Sequence, residues 1–328
     1  MKELERNKLK NKVMKLIITI PAYNEEETIA KVIKEIPRSI EGINEVKVLV
    51  INDGSIDKTV EIAKEAGADY VISNSGNQGL AFSFRKGIES ALKLGADIIV
   101  NTDADFQYNQ TEIPKLIRPI LENRAEMVIG NRQVETLSHM NWTNKYGNIL
   151  GSWVLRKMLK NKVTDASSGF RAFSKECALR LNILSSHTYT HETIIQCTMQ
   201  KMRIMEVPIE FRKREAGNSK LILNVSTHIK KSAATIIRIY LTYEPFKTFS
   251  KFGSFIFLIG GFFYLRYLWF YFLGQGGGHI QSLLLGVTLT IIGILIIILG
   301  FIADLIATNR RIDEEILYRL KKQEYEKE

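Results

Sequence analysis

From Lys15 to Gly130 the chain alternates two patterns: short runs of apolar, mostly β-branched residues, and stretches whose apolar positions recur every three or four residues. The first predicts buried strands and the second amphipathic helices. Read this way, strands fall at residues 15–20, 46–51, 70–73, 97–102 and 127–130. Helices fall at about 26–36, 57–66, 81–94 and 112–122. Such alternation predicts βαβ units, an α/β fold with a mostly parallel sheet flanked by helices. In these sheets ligands gather beyond the carboxyl ends of the strands. The polar strings PAYNE, NDGSID and DADFQ all fall at those ends, which predicts one shared site.

Further on the pattern changes. Residues from about Phe252 to Leu273 and from about Ile280 to Ala307 are continuous apolar runs, each reaching the roughly 20 residues a helix needs to cross a bilayer. The link Gly274–His279 has no Lys or Arg, whereas Lys247, Lys251, Arg310 and Arg311 lie on the outer flanks. The positive-inside rule then predicts a two-span hairpin with both termini, and the domain before it, on the cytoplasmic side. Just ahead, Val225, Ile229, Ala233, Ile236, Tyr240 and Tyr243 keep helical spacing and His228, Lys230, Lys231 and Arg238 lie off that stripe. This suits a helix at the membrane surface or one packed on the preceding domain. After the second run, Ile312, Ile316 and Leu320 share one side of a charged helix, either solvated or a face for a homo-oligomer.

Composition adjusts this picture at a few points. The 328 residues allow one large domain or two modest ones. A net charge of +10 would fit a nucleic-acid partner, but beside membrane spans it is better read as attraction to anionic lipid and phosphorylated substrates. Cys177 and Cys197 have no metal-ligand spacing, so reduced thiols in a cytosolic compartment are expected. The segment Met1–Lys15 is charged, so no secretory leader is expected. Arg266 inside the first run is costly in hydrocarbon, and its neighbours Tyr264, Tyr267, Trp269 and Tyr271 predict that it snorkels to the interface.

The candidate chemistry starts at Asp103-Ala104-Asp105-Phe106-Gln107. In an extended or loop segment Asp103 and Asp105 project to one side and Gln107 keeps the same alternation, and two close carboxylates with a neutral oxygen suit a hard divalent ion such as Mg²⁺ or Mn²⁺. Alone, such a triplet is usually a turn. After a buried strand in a βαβ series it points to a metal that neutralises a leaving diphosphate. Asn52–Asp57 reads either as a turn with an Asp57 N-cap or as a site where Asp53 accepts from a nucleotide. Pro21-Ala22-Tyr23-Asn24-Glu25 is either a rigid turn or a wall for the base, with Tyr23 stacking and Glu25 accepting hydrogen bonds. Arg132, Lys145, Arg171, Arg214 and Lys220 lie in or beside loops, where an arginine is the natural phosphate clamp. The five histidines form no ligand spacing.

With these residues in view, the sequence resembles family 2 glycosyltransferases of the GT-A fold, and within them the dolichol-phosphate mannose synthase and polyprenyl-phosphate glycosyltransferase branch. The strings PAYNEEETI, VLVINDGSIDKT, NQGLAFSFRKG, DADFQY, GNR, SSGFRAFSK and EVPIEFRKREAGNSK carry the likeness over about residues 15–220. The resemblance implies that Asp103, Asp105 and Gln107 hold the metal and that Pro21, Tyr23, Glu25, Asp53 and Asp103 bind the nucleotide. It implies that Arg132 and Arg214 meet phosphates beside the catalytic Asp105, with Lys145, Ser168, Arg171 and Lys220 also near the acceptor phosphate. Two departures stand out. The usual DDGS reads NDGS, so Asn52 replaces a carboxylate, and Lys145 stands where relatives often have Arg.

The implied layout is a charged extension at 1–13, a GT-A catalytic domain at 14–222 and interfacial helices at 223–250. The spans follow within 251–307, with a charged tail at 308–328. The implied reaction is inverting, metal-dependent transfer of one hexose, from GDP-mannose or a UDP-hexose, to dolichyl or polyprenyl phosphate. The alternatives are a different lipid acceptor such as diacylglycerol, which needs a base for which Glu192 or Asp165 would have to serve, and a non-catalytic nucleotide-binding scaffold. No G-x-G-x-x-G follows the first strand, which disfavours an oxidoreductase on the same layered fold. The Q-x-x-R-W string of processive synthases is also missing, which disfavours a polymer product.

Overall fold

The computed structural model describes residues 13–135, 145, 149, 151–153, 156, 163–185, 189–213 and 245–325. These divide into two compact units: one from residues up to Ile236 together with the segment from Tyr318 onward, the other Ile237–Leu317.

The first unit is built on a seven-stranded sheet in the order β3-β2-β1-β4-β6-β5-β7. The strands are β1 (Lys15–Ala22), β2 (Glu45–Asn52), β3 (Tyr70–Ser73), β4 (Ile98–Asn101), β5 (Met127–Asn131), β6 (Arg171–Ser174) and β7 (Ile204–Pro208). The helices are α1 (Ile29–Glu35), α2 (Thr59–Glu65), α3 (Leu80–Lys93), α4 (Ile113–Leu121), α5 (Lys175–Arg180) and α6 (Thr190–Met199). β1 is apolar on both faces because helices cover both: Leu16, Ile17, Ile18 and Ile20 are all fully buried. α1 turns Ile29, Val32 and Ile33 into that core, and α3 turns in Phe84, Ile88, Ala91 and Leu92.

Expected and observed elements agree to within a few residues as far as β5, with α1 starting at Ile29 rather than near Glu26. The pairings of β1, β2, β3 and β4 are parallel, as is that of β5 with β7. β6 is the exception, lying antiparallel between β4 and β5. This reversal matters for the site. β4 and β5 both oppose β6, so their carboxyl ends share an edge with those of β1, β2, β3 and β7. The amino end of β6 lies at that same edge, bringing residues 165–170 to it.

In the second unit, α7 (Pro245–Phe272) and α8 (Ile280–Tyr325) are each long and apolar enough to cross a membrane. A short 3₁₀ turn, Gly276–His279, joins them. α7 begins ahead of the expected first span, and α8 continues without a break through the charged stretch expected as a separate helix. Along α7, Gly253 and Gly260 face Gly293 and Gly286 of α8 so closely that a Cβ on Gly260 would lie 2.7 Å from Thr290 N. Small residues that let backbones approach are the usual seam between helices in lipid. Arg266 turns to its neighbour helix, donating to the Ser282 hydroxyl with Cζ 5.2 Å from the Phe270 ring. Ser282 lies two residues past the start of α8, at the link end of the pair. The interfacial stripe expected over 224–243 lies outside the described residues. Ile312, Ile316 and Leu320 are exposed.

Candidate active site

Four loops leave the carboxyl ends of β1, β2, β3 and β4, and the first three tie to one another. Asn24 donates its backbone N–H to Ser55 Oγ (2.9 Å) and accepts at Oδ1 from Ile56 N (2.9 Å). Glu25 N reaches Thr59 Oγ1 at 2.8 Å, and the Glu25 carboxylate accepts from Thr28 Oγ1 at 3.2 Å. Pro21 is the penultimate residue of β1, opposite Ile51 and beyond the stretch that pairs with β4, so its missing N–H breaks no ladder there. Tyr23 and Glu25 stay half-buried at the rim.

The NDGSID string makes the turn that its composition allows, with Gly54 at φ +76°. Asn52 Oδ1 accepts from Ser55 N, and its amide donates to Ser73 Oγ. Asp57 Oδ1 accepts from Thr59 N at 3.0 Å, but the N-cap position of α2 is Lys58 rather than the expected Asp57. Asp53, expected at the nucleotide, is 5% exposed. Its carboxylate accepts from Asn74 Nδ2 (2.7 Å), Gln78 N (2.9 Å) and Gly79 N (2.8 Å). The structure therefore places Asp53 as the anchor of the loop between β3 and α3.

After β4 the chain does not continue extended. Asp103–Phe106 turns, Asp105 Oδ1 accepts from Gln107 N at 3.2 Å, and Phe106 sits at φ +60°. Of the extended or loop segment expected for Asp103, Asp105 and Gln107, the structure has the loop, with a turn at Ala104–Asp105. Asp103 lies against Gly169, where a Cβ would come 2.9 Å from both carboxylate oxygens and 3.1 Å from the Tyr189 hydroxyl. Asn101, fully buried, donates to Gly169 O (3.0 Å) and lies 2.9 Å from the Tyr189 hydroxyl. The Tyr108 hydroxyl accepts from Gly169 N at 2.9 Å. Burial pushes the Tyr108 hydroxyl up to about 12 and that of Tyr189 well above its usual value, and nearby Asp103 adds to both. Two neutral tyrosines thus wall the Asp103 carboxylate.

Among the described residues no three His, Cys, Asp or Glu side chains group into a metal cage. The donors present fit an ion held by two carboxylates and completed by substrate phosphate and water, the habit of Mg²⁺. Gly169 supplies an observation for that fit, since any side chain there would fill the space the Asp103 carboxylate uses.

Arg132, just past β5, forms a two-pronged pair with Asp165 (Nε–Oδ2 2.8 Å, Nη2–Oδ1 2.7 Å) and donates to Ser167 Oγ at 2.7 Å. Its Cζ lies 5.2 Å from the Phe211 ring. Burial opposes its charge, but Asp165, with Asp103 adding to it, outweighs that and holds the guanidinium more firmly protonated than usual. Asp165 is in turn fixed by Glu206, which accepts from Asp165 N at 2.8 Å.

Arg171, expected near the acceptor phosphate, has its guanidinium bonded within the 166–193 region. It is fully buried and donates to Ser168 O, Thr190 O, Thr193 Oγ1 and Ala166 O at 2.5–2.8 Å. Burial lowers its pKa. It is the brace of the 166–171 segment, because a guanidinium fork satisfies several carbonyls at once. Ser168 is fully buried beside it. Lys145 Nζ donates to Glu135 O at 2.5 Å. Arg214 and Lys220 lie outside the described residues. Glu192, one of the two candidate bases, is 2% exposed and accepts from Leu184 N and Ser185 N, both at 3.0 Å. Asp165, the other, is held by Arg132.

The profile of glycosyl transferase family 2 matches residues 17–180. The chain belongs to glycosyl transferase family 2. It is 32% identical over 219 residues to the UDP-N-acetylglucosamine–dolichyl-phosphate N-acetylglucosaminyltransferase of Methanococcus voltae, covering 60% of this chain and 84% of that protein. It is 30% identical over 218 residues to the undecaprenyl-phosphate mannosyltransferase of Micrococcus luteus, covering 63% and 88%. In fold it is similar to glucosyl-3-phosphoglycerate synthase from Mycobacterium tuberculosis, solved with Mn²⁺, UDP-glucose and phosphoglyceric acid: TM-score 0.57, 20% identity, 70% of this chain and 81% of that one. That likeness supports the GT-A fold.

Sequence reasoning missed several residues of this family 2 site. Gly169, Tyr108, Tyr189 and Asn101 carried no charge signal, and their roles depend on the reversed strand β6. The SSGF string, with its glycine just ahead of a strand, was the available sign. Glu35 and Arg212 were missed because their pairing joins residues 177 positions apart.

Proposed function

We propose that this family 2 glycosyltransferase moves one hexose from a nucleotide-diphosphate sugar to a polyprenyl phosphate, with inversion at the anomeric carbon. One observation carries the reading. The turn carrying Asp103 and Asp105 follows β4 and Arg132 follows β5, two strands that both oppose β6, so carboxylates and guanidinium stand at one sheet edge. That arrangement pairs a cation site for a diphosphate with a guanidinium for a phosphate. Relatives named as dolichyl- and undecaprenyl-phosphate transferases support the acceptor class, as do two helices long and apolar enough to span a membrane.

Asp103, Asp105 and Gln107 would hold Mg²⁺ or Mn²⁺, which would supply charge neutralisation for the departing diphosphate. Tyr23 and Glu25 line the nucleotide end of the cleft, and Asp53 shapes it through the 74–79 loop. Arg132 orients a phosphate oxygen, with Arg214 and Lys220 assigned to the same task. A phosphate monoester is largely dianionic at neutral pH, its second pKa being about 6, so the acceptor needs no general base. This agrees with the occupied state of Glu192 and Asp165, and it disfavours a hydroxyl acceptor such as diacylglycerol. Catalysis is then positioning and charge stabilisation. The catalytic domain is assigned to 14–222 and the spans to 251–307, with catalytic domain and termini on the cytoplasmic face.

The test uses membranes containing the protein with Mn²⁺ or Mg²⁺, a short polyprenyl phosphate and labelled GDP- and UDP-sugars. Metal-dependent label in the organic phase from one donor, lost in Asp105→Ala, is the expected result. No label from any donor, with nucleotide binding retained, would move the acceptor to another lipid.

A further inference from the structure

Phe106 adopts φ +60° between Asp105 and Gln107. A bulky side chain in the left-handed region is strained, and such a conformation persists only where the surroundings enforce it. Here the enforcement comes from the segment after β7. Phe211 forms a β-bridge with Tyr108, and Arg212 N donates to Gln107 O at 2.8 Å. The Arg212 guanidinium lies over the Phe106 ring, 4.8 Å from its centroid, and Lys31 Nζ lies 5.8 Å from the same centroid. Glu35 holds Arg212 through both prongs, at 2.8 and 3.1 Å, and the same Oε2 accepts from Gln110 N at 2.9 Å. Glu35 therefore grips the loop after the strained residue while Arg212 covers that residue.

We infer that Arg212 is a positioning residue: fastened by Glu35, it holds the 103–107 turn in the shape that aims the Asp105 carboxylate. Because Arg212 lies in the segment after β7, two residues ahead of Arg214 in the sequence, it ties the donor loop to the chain assigned to the acceptor phosphate. The inference rests on reading 103–107 as the divalent-metal and diphosphate loop. A merely structural ion pair, one-fifth to one-quarter exposed as this one is, would contribute modestly to stability and leave metal affinity alone.

The experiment is Mn²⁺ binding by the full-length protein in detergent, followed by the loss of the free-ion EPR signal with GDP or UDP present. Arg212→Gln is expected to weaken Mn²⁺-nucleotide binding about tenfold, the equivalent of about 1.4 kcal/mol. Arg212→Lys, which keeps the cation over the ring but not the fork, is expected to fall between. Glu35→Gln should act in the same direction, and the double variant should be no worse than Arg212→Gln, since the two act as one device. If Arg212→Gln fails to fold, Glu35→Gln and Phe106→Leu carry the same comparison. Variants that melt earlier but bind Mn²⁺ like wild type overturn the inference and leave the reading of the loop intact. A wild type that takes up no Mn²⁺ with either nucleotide overturns the reading itself, and the inference with it.

Discussion

At the scale of single residues, the site depends on groups whose chemistry is inert. Gly169 presents no side chain, and a methyl there would sit 2.9 Å from both oxygens of Asp103. Because the neighbouring Tyr189 ring is stacked on Phe84 at 3.8 Å, the carboxylate rather than the wall has to move. Gly169→Ala is therefore expected to cut metal-dependent turnover by at least tenfold, as misplacing a catalytic group by an ångström commonly does, while the melting temperature stays within a few degrees. A raised metal requirement in the variant is the measurement that checks it. The tyrosine walls make a separate prediction about pH. Tyr108 has its folded pKa raised to about 12 by burial, above an unfolded value near 10. Its contribution is whole below pH 10 and is lost as pH climbs through 12, on the order of 2–3 kcal/mol. Denaturation at pH 9 and 11.5 should show that fall, and Tyr108→Phe should flatten the slope without abolishing it, because Tyr189 is shifted the same way.

At the scale of elements, what the sequence revealed and what it concealed follow from periodicity. β1, β2 and β4 are buried on both faces, so they read as plain apolar runs, and the helices after them carry their stripes. β6 is four residues, RAFS, beginning with the arginine that proves to be the core brace. A charged residue at the head of a short run looks like a loop end, so its bracing of the 166–171 segment carries no signal in the sequence. The DADFQ cluster was legible because its donors are charged; its turn was not, since nothing local marks Phe106 for a positive φ. The apolar hairpin was legible by length alone, but its seam was not, because glycines in a greasy run carry no hydropathy signal. That seam can be tested with a matched pair. A side chain at Gly260 would meet Thr290 and the Gly286 carbonyl within 2.9 Å, whereas Gly261 has nothing within 4 Å. Gly260→Leu should force α7 and α8 apart and lower the detergent melting temperature. Gly261→Leu should leave it unchanged. Equal effects from both would remove the seam.

At the scale of the whole molecule, the chain divides its C-terminal helix between two units: α8 lies in the apolar unit to Leu317, and from Tyr318 it packs with the catalytic unit. The contacts that place it there are specific. Tyr318 is 9% exposed, its hydroxyl donates to the Glu176 carboxylate at 3.0 Å, and the Arg180 guanidinium lies 3.8 Å from its ring centroid. Lys321 Nζ donates to Leu181 O at 3.0 Å, satisfying a carbonyl just past α5, and burial lowers its pKa. The ion pair between Lys93 and Glu324, at 4.0 Å and well exposed, adds little. The tail is thus a packing element of the catalytic unit rather than a solvated appendage, although its exposed Ile316 and Leu320 make it look like one. Burial of an aromatic ring against a guanidinium is worth about 1–2 kcal/mol beyond its share of the apolar contact. Tyr318→Ala in the full-length protein should therefore cost about 2–3 kcal/mol and lower the melting temperature of the catalytic unit by several degrees, measured through Mn²⁺-nucleotide protection. Ile316→Ala, half exposed on the same helix, should change it by less than about 0.5 kcal/mol. A chain ending before Tyr318 should melt like Tyr318→Ala or lower. If it melts like the full-length protein, the contacts of Tyr318 and Lys321 contribute nothing to stability. If it shows the loss, a catalytic fragment cut from this enzyme needs residues 318–325 supplied with it.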